Sequence, residues 1–180
     1  MSEEISKAVK KLVSFLELLR IDYMIIGGYA LPYYGRIRTT LDIDIAVALQ
    51  LEDEFEQFCR EAESTGYVLS LASIKNPVFI LLDNESGLEF ELWTRLDGVD
   101  WNSETLFRRR RKRFDDFEVW VISPEDFIVN KLARPDRGAI DEQDVKSVLV
   151  RLKDTLDWEY LENQAKKAGI NSVLHSINEI

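Results

Sequence analysis

The chain has 180 residues, 46% of them hydrophobic, and a formal net charge of −10 at pH 7. This length and hydrophobic content suffice for one domain with a sizeable core and argue against disorder. The negative charge argues against a general nucleic-acid-binding surface, because a polyanion is repelled on average. No apolar run reaches the roughly 18 to 20 residues that span a membrane, and the N-terminus has no signal-peptide core, so we expect a cytoplasmic protein.

The first third of the chain predicts helices alternating with short strands. Apolar residues recur at three- and four-residue steps from Ile5 to Leu19, which indicates an amphipathic helix. The segments that follow are, in order, the strand "DYMIIGG", the brief helix "YALPYYG", the strand "LDIDIAVAL" and the helix "LEDEFEQFCREAEST". Cys59 lies in the last of these beside two phenylalanines, so we interpret it as a core residue rather than a nucleophile.

The rest of the chain predicts more strands and then only helices. The strand-like runs are "GYVLSLA", "PVFILLD", "LEFELWTRL" and, after a basic segment, "FEVWVIS". Ser123 and Pro124 then form a strong helix start, as N-cap and first helical residue. The expected fold is therefore α+β, a mixed sheet flanked by helices, with an α/β core over residues 1–122 and a C-terminal helical region over residues 123–180.

The basic segment "FRRRRKRF", residues 107–114, carries six consecutive basic residues at 108–113. It follows a plausible N-cap at Ser103 and precedes Asp115 and Asp116, which predicts a helix whose charge is balanced locally. Two interpretations stay open: a solvated helix face, or a patch that binds nucleic acid or phosphate.

Asp42 and Asp44 stand inside an apolar strand pattern. Alternate side chains of a strand share a face, so the two aspartates project together while Leu41, Ile43 and Ile45 enter the core. Adjacent carboxylates repel each other unless a cation lies between them. The pair therefore predicts a site for a hard divalent cation, Mg²⁺ or Mn²⁺, although an exposed sheet face or a cap would also accommodate it.

Gly27 and Gly28 lie between the strand before them and the brief helix after them. Glycines at a strand-to-helix turn leave backbone N–H groups uncovered at the positive end of the helix, where a phosphate chain can rest. Alone, a glycine pair is weak evidence for a phosphate site.

Together these residues resemble a known signature. The sequence has, in order, Gly27, Gly28, Ala30, Gly35, Arg38, Thr40, Asp42 and Asp44. This run resembles the "GG, short helix, G, R-x-T-x-D-[IL]-D" signature of the minimal nucleotidyltransferases of the DNA-polymerase-beta-like superfamily, particularly its AbiEii-like and related small bacterial and archaeal members. The resemblance implies that the aspartates are metal ligands facing a triphosphate, which is held by Gly27, Gly28, Arg38 and Thr40.

The family also uses a third carboxylate on a later strand, usually an aspartate. In "LEFELW" the candidates are Glu89 and Glu91, which share one face of the strand, and the pattern favours Glu91. Glutamate has a longer arm than aspartate, so this departure from the family bears on metal spacing and on catalysis.

A second similarity covers "SPEDFIVNKLARPDRGAIDEQDVKSVL". The family's conserved lysine, arginine and two aspartates fall on Lys131, Arg137, Asp141 and Asp144. By resemblance Lys131 contacts nucleotide phosphates, and an aspartate, Asp141, completes the nucleotide site. The bland alternatives are a lysine that snorkels from a helix and acidic residues that favour a helix start.

The implied reaction moves a nucleoside monophosphate from a nucleoside triphosphate to a hydroxyl acceptor, with Asp42, Asp44 and Glu91 as metal ligands. RNA, a protein side chain and a small molecule all remain open as acceptors. AbiEii-like enzymes are often toxins paired with an antitoxin, so the resemblance also implies a partner protein. The alternatives are a nucleotide-binding protein of the same fold without catalysis, and an RNA-binding module. His175 is expected to be a surface or packing residue rather than a base.

Overall fold

A seven-stranded mixed sheet is the centre of the computed structural model, which describes residues 2–178. The strands are β1 (Tyr23–Ile25), β2 (Ile43–Val47), β3 (Tyr67–Ser70), β4 (Val78–Asp83), β5 (Glu89–Trp93), β6 (Arg110–Phe114) and β7 (Phe117–Val121). The helices are α1 (Glu3–Leu18), α2 (Gly27–Tyr34), α3 (Glu52–Ser64), α4 (Ser103–Arg108), α5 (Pro124–Ala133), α6 (Ala139–Leu152), α7 (Trp158–Lys167) and α8 (Asn171–Asn178). Within residues 2–178 no helix combines the length and the apolar character that crossing a bilayer requires.

The strand order is β3-β4-β5-β2-β1-β7-β6. β2 runs parallel to β5 and antiparallel to β1, and β1 runs parallel to β7. Ile25, Ile45, Leu92 and Val121, one from each of these four central strands, are completely buried. The predicted mixed sheet flanked by helices is confirmed.

The basic segment forms less helix than the sequence predicts. Helix α4 ends at Arg108, and the segment continues as the edge strand β6, which pairs antiparallel with all of β7. The N-cap is Asn102, whose side chain accepts the N–H groups of Glu104 and Thr105, and not Ser103. The helical prediction for this segment was therefore wrong, because pairing with β7 overrides the local pattern.

Strand β2 begins later than its apolar pattern predicts. Leu41 is 89% exposed and lies before the strand, whereas Ile43 and Ile45 are buried as expected. The ladder with β1 covers only three residues, Ile45 to Val47, and the ladder with β5 begins at Ile43. No neighbouring strand therefore reaches Leu41, and its predicted place in the core was wrong.

The helices after β7 pack on the sheet rather than apart from it. Ser123 caps α5 by accepting the N–H of Asp126, as the sequence predicts. Leu31 of α2 and Val148 of α6 belong to the same hydrophobic core as the sheet. The division of the chain at residue 122 stays a prediction.

One buried acid ties α5 to α7 and should give the protein a specific pH dependence. Asp126 accepts hydrogen bonds from Tyr160 and Ser123, and burial, which outweighs these bonds, raises the pKa of its carboxyl to about 6. Because this pKa lies above the unfolded value of about 3.9, the folded state holds the proton more tightly between these pH values. The group's contribution to stability is complete below about pH 4 and is lost as the pH rises through about 6.

We therefore expect the free energy of unfolding of the protein to fall by roughly 2 kcal/mol relative to that of Asp126→Asn between pH 4.5 and 7. Urea unfolding of both proteins across this range measures the difference. Asp116→Asn, at an exposed position, is the control and should follow the parent at every pH. A constant difference between the parent and Asp126→Asn would contradict the prediction.

Candidate functional site

Several elements meet at one end of the central strands of the sheet. Strand β1 ends at Ile25, α2 begins two residues later at Gly27, and Asp44 is the second residue of the antiparallel neighbour β2. In the parallel ladder between β2 and β5, Asp44 lies directly opposite Glu91. The topology thus brings the glycine turn and two of the three candidate metal ligands together.

The carboxylates at this end of the strands repel each other. Glu91 is half-buried, and burial, followed by repulsion from Asp44 and a smaller repulsion from Asp42, raises the pKa of its carboxyl. Trp93, two residues further along the same strand face, donates its indole N–H to Asp44 Oδ1 at 3.3 Å. Glu89 is exposed, so of the two glutamates it is Glu91 that faces the aspartates.

These acids suit a hard cation by their chemistry but do not surround one point. Over residues 2–178, no three Asp, Glu, His or Cys side chains stand together as a formed metal site. Asp42 is exposed in the loop before β2, so it must turn to join Asp44 and Glu91. The donor set is all oxygen, as Mg²⁺ and Mn²⁺ prefer, and a cation there would relieve the repulsion.

The glycine turn has no space for side chains. Gly27 has φ +57°, and a Cβ on it would collide with the Asp44 carboxylate. A Cβ on Gly28 would lie 2.6 Å from Cβ and Oγ1 of Thr40. No side chain caps the N-terminus of α2, so its first N–H groups are available to an anion.

Replacing Gly28 by valine should therefore weaken nucleotide binding more than about tenfold, roughly 1.4 kcal/mol. The branched side chain pushes against Thr40 and covers the backbone that a phosphate oxygen must approach. Isothermal titration with nucleoside triphosphates measures the effect. Gly138→Val is the control, because a Cβ there meets open space. If a folded Gly28→Val protein binds nucleoside triphosphates as tightly as the parent, the Gly28 backbone does not contact the phosphates.

The lysine and acids of the second sequence similarity form one ion network. Lys131 is buried, and its Nζ lies 2.8 Å from Asp141 Oδ1 and 3.7 Å from Asp144 Oδ2. Asp144 is fully buried and binds Arg36 and Arg38 at 2.7 and 3.1 Å. Lys131 is thus not a snorkelling surface residue. The network attaches the loop after α2 to helix α6.

Arg137, the arginine of that similarity, stands elsewhere. Its guanidinium donates to the carbonyl of Leu132 and pairs with Glu142 at 3.3 Å. Arg134, which the sequence reasoning missed, lines the same cavity as Asp44 and Lys131. Its position one helical turn after Lys131 is a signal that could have identified it.

A cleft leads from the glycine turn across Asp44. Its inner part has a volume of about 30 Å³ and is lined by Ile26, Gly27, Asp44, Trp93, Leu96, Asp97, Asn130, Lys131 and Arg134. It shares Trp93, Leu96, Asp97 and Arg134 with an outer part of about 500 Å³. Trp93 could have been noticed from the sequence, since it follows Glu91 on the same strand face. We find no sequence signal for Asp97.

Three of the other predicted nucleotide-binding residues do not line this cleft. Gly28, Arg38 and Thr40 line a second groove of about 630 Å³, which also contacts Tyr29 and Tyr33. The structure therefore brings Gly27 and Lys131 to the cleft at Asp44, and Gly28, Arg38 and Thr40 to this neighbouring groove. Asp141 reaches the cleft only through Lys131.

The remaining candidates take no part in the cleft. Arg109 of the basic segment pairs with Asp22, and Arg111 pairs with Glu17. Cys59 is half-buried on α3, and His175 is exposed on α8.

Comparison with known proteins identifies a family whose profile matches this chain. The family profile described as "Nucleotidyl transferase of unknown function (DUF2204)" matches residues 5–174. A search of curated proteins gives no match.

Three solved structures share the fold. The lincomycin-bound lincosamide antibiotic adenylyltransferase LnuA is 15% identical, with a TM-score of 0.55 over 82% of this chain and 96% of its own. The antibiotic-resistance factor ANT(2'')-Ia is 15% identical, with a TM-score of 0.61 and full coverage of both chains. An antigenic nucleotidyltransferase-like protein from Paracoccidioides brasiliensis is 18% identical, with a TM-score of 0.55 over 99% of this chain and 93% of its own.

Proposed function

The chain belongs to this DUF2204 family of nucleotidyl transferases, and we propose that it moves a nucleoside monophosphate from a nucleoside triphosphate to a hydroxyl acceptor with the help of Mg²⁺ or Mn²⁺. The observation that carries the proposal is the Asp44 and Glu91 pair on neighbouring parallel strands, beside the uncapped N-terminus of α2. Phosphate-binding N–H groups next to metal-binding carboxylates are the parts that phosphoryl transfer needs. The donor is available in the cytoplasm, the location that the sequence predicts.

In this proposal Asp42, Asp44 and Glu91 hold the metal. When bound, the metal supplies positive charge that stabilises the triphosphate and the acceptor alkoxide. The N–H groups at Gly27 and Gly28 bind the β- and γ-phosphates.

Around these ligands, Lys131 adds positive charge from α5, and Arg38 and Thr40 support the phosphates from the neighbouring groove. Trp93 fixes the orientation of the Asp44 carboxylate through its indole N–H.

At the α-phosphorus the reaction forms one bond and breaks one. The acceptor oxygen bonds to the α-phosphorus, and the bond from that phosphorus to the bridging oxygen breaks, so pyrophosphate leaves with the electron pair. The acceptor hydroxyl releases its proton to solvent. The chain's contribution is to align the hydroxyl with the leaving group and to neutralise charge.

The metal sites can be tested by binding. Asp42→Asn combined with Asp44→Asn should abolish Mn²⁺ binding in the presence of a nucleoside triphosphate, measured by calorimetric titration. The variant should fold as the parent does, or be more stable without metal, because removing the negative charges relieves the repulsion. The matched control is the double variant Asp53→Asn with Asp116→Asn, which removes two exposed carboxylates. Unchanged Mn²⁺ affinity in the first variant would reject the metal role.

The rival proposal is a nucleotide-binding protein without transfer activity. It is motivated by glutamate at position 91, where the minimal nucleotidyltransferases that the sequence resembles usually have aspartate. Incubation with labelled nucleotide, Mn²⁺ and candidate acceptors separates the two, since only an enzyme produces pyrophosphate. The acceptor in this proposal is RNA, a protein side chain or a small molecule. The resemblance to AbiEii-like enzymes also makes an antitoxin partner part of it. The RNA-binding module gains less support, because Arg109 and Arg111 are already paired with carboxylates.

A further inference from the structure

The cleft at Asp44 runs across the sheet from the start of α2 toward β5. Helix α2 follows β1, Asp44 lies on the next strand, β2, and Trp93 lies on the strand beyond it, β5. If phosphates bind at the start of α2 and the α-phosphate lies at Asp44, the nucleoside extends toward β5. This step rests on the proposed function.

The outer part of the cleft offers a nucleoside-sized space with apolar walls. Its volume is about 500 Å³, and Pro77, Leu96 and Pro135 line it together with the half-buried indole of Trp93. An indole is a good surface for stacking a nucleobase. This wall is fixed relative to the chemistry, because the same indole donates its N–H to Asp44.

One carboxylate in this space is unused by the rest of the fold. Within residues 2–178 the side chain of Asp97 forms no hydrogen bond and no ion pair that meets ordinary distance limits, although it is half-buried. Burial raises the pKa of its carboxyl, with a smaller opposing effect of Arg134. Asp97 is only partly desolvated, and its carboxylate oxygens are available to accept hydrogen bonds from a bound ligand.

The fold holds Asp97 in place. Asn130 of α5 donates its side-chain N–H to the Asp97 carbonyl at 3.3 Å. The next residue, Gly98, has φ +69°, and a Cβ on it would lie 2.8 Å from Ala133 Cβ. The loop therefore packs closely on α5, which fixes the backbone of Asp97 beside the cleft.

We infer that this space is a nucleobase site and that Asp97 selects guanine. A carboxylate has two acceptor oxygens and no donor, and guanine presents N1–H and an N2 amino hydrogen side by side. Adenine and cytosine place a ring acceptor beside their amino group, and uracil flanks its N–H with carbonyls, so each would bring an acceptor against the carboxylate. The base stacks on Trp93 while Asp97 reads its edge.

A cationic amine on an acceptor molecule is the competing ligand for Asp97. The lining does not favour it, because Arg95 and Arg134 stand in the same part of the cleft and balance the charges of Asp97 and Asp136. Both guanidinium groups would repel a cationic amine, whereas they would not repel a neutral base.

The test is a calorimetric comparison of GTP, ITP, XTP, ATP, CTP and UTP with Mg²⁺ and the full chain. The parent should bind GTP most tightly and ITP at least tenfold more weakly, because hypoxanthine lacks the N2 amino group. Asp97→Asn should weaken GTP at least tenfold and bind XTP best, since its amide can donate to the 2-oxo group and accept N1–H. This gain of XTP binding also shows that the variant is folded.

Asp100→Asn is the matched control, because Asp100 lies three residues further along the chain but is exposed and does not line the cleft. It should keep the parent's preference for GTP. Equal affinity of the parent for GTP and ITP, a preference for another base, or an unchanged preference in Asp97→Asn would overturn the inference while leaving the proposed function intact. A parent that binds no triphosphate at all would overturn both.

Discussion

Replacing Glu91 by glutamine is expected to abolish nucleotidyl transfer, with a loss of about a hundredfold to a thousandfold or more in rate. Glu91 lies opposite Asp44, and in the proposed function both carboxylates hold positive charge beside the reacting phosphate. The amide keeps the size and the strand position of the side chain, so the loss would come from charge and not from misfolding. Incorporation of labelled nucleotide into an acceptor measures the rate.

The neighbouring position supplies the control for this change. Glu89 lies two residues earlier on the same strand face but is exposed, so Glu89→Gln should cost little. Glu91→Asp should keep or raise activity, because it restores the arm length usual in the minimal nucleotidyltransferases that the sequence resembles. The reverse ranking of the two glutamine variants would move the site to Glu89. A parent that is inactive with every acceptor would favour the nucleotide-binding protein.

Asp144→Asn should lower the free energy of unfolding by roughly 3 kcal/mol. Asp144 is completely buried and faces Arg36 and Arg38, which are 33% and 26% exposed. Breaking a buried ion pair costs about 3 to 5 kcal/mol, and the lower end applies because both arginines can regain some water. Lys131 keeps its contact with Asp141, which limits the loss further.

Urea unfolding gives the stability, and a second measurement locates the cause. The loop that carries Arg36 and Arg38 should exchange its amide hydrogens faster in Asp144→Asn, because its attachment to α6 is lost. Asp136→Asn is the matched control, since it removes the partner of another arginine at an exposed site. Equal effects of the two substitutions would show that burial of Asp144 adds nothing.

Local patterns predicted the elements of the candidate site well. The glycine pair, the alternation around Asp44 and the start of α5 at Ser123 each depend on neighbouring residues. The pairing of β2 with β5 joins residues almost fifty positions apart, and that register is what distinguishes Glu91 from Glu89. The sequence pattern favoured Glu91, but only the sheet order shows that it stands opposite Asp44.

The sequence failed where distant contacts decide the structure. The basic segment has the composition of a helix, yet β7 recruits most of it into the sheet. Leu41 fits an apolar alternation, yet the flanking strands stop before it. Asp97 carries no local signal, because its setting comes from the packing of Gly98 on α5.

The position of β6 at the edge of the sheet gives the basic segment a role independent of ligands. An edge strand has unpaired backbone N–H and C=O groups that can pair with a strand of another molecule and start aggregation. Along that edge β6 carries Arg110, Lys112 and Arg113, which form no ion pair within residues 2–178, beside the paired Arg111. Two copies brought together edge to edge would place these cations against each other, and their repulsion would keep the molecules apart. The same run of charge thus protects the end of the sheet from self-association.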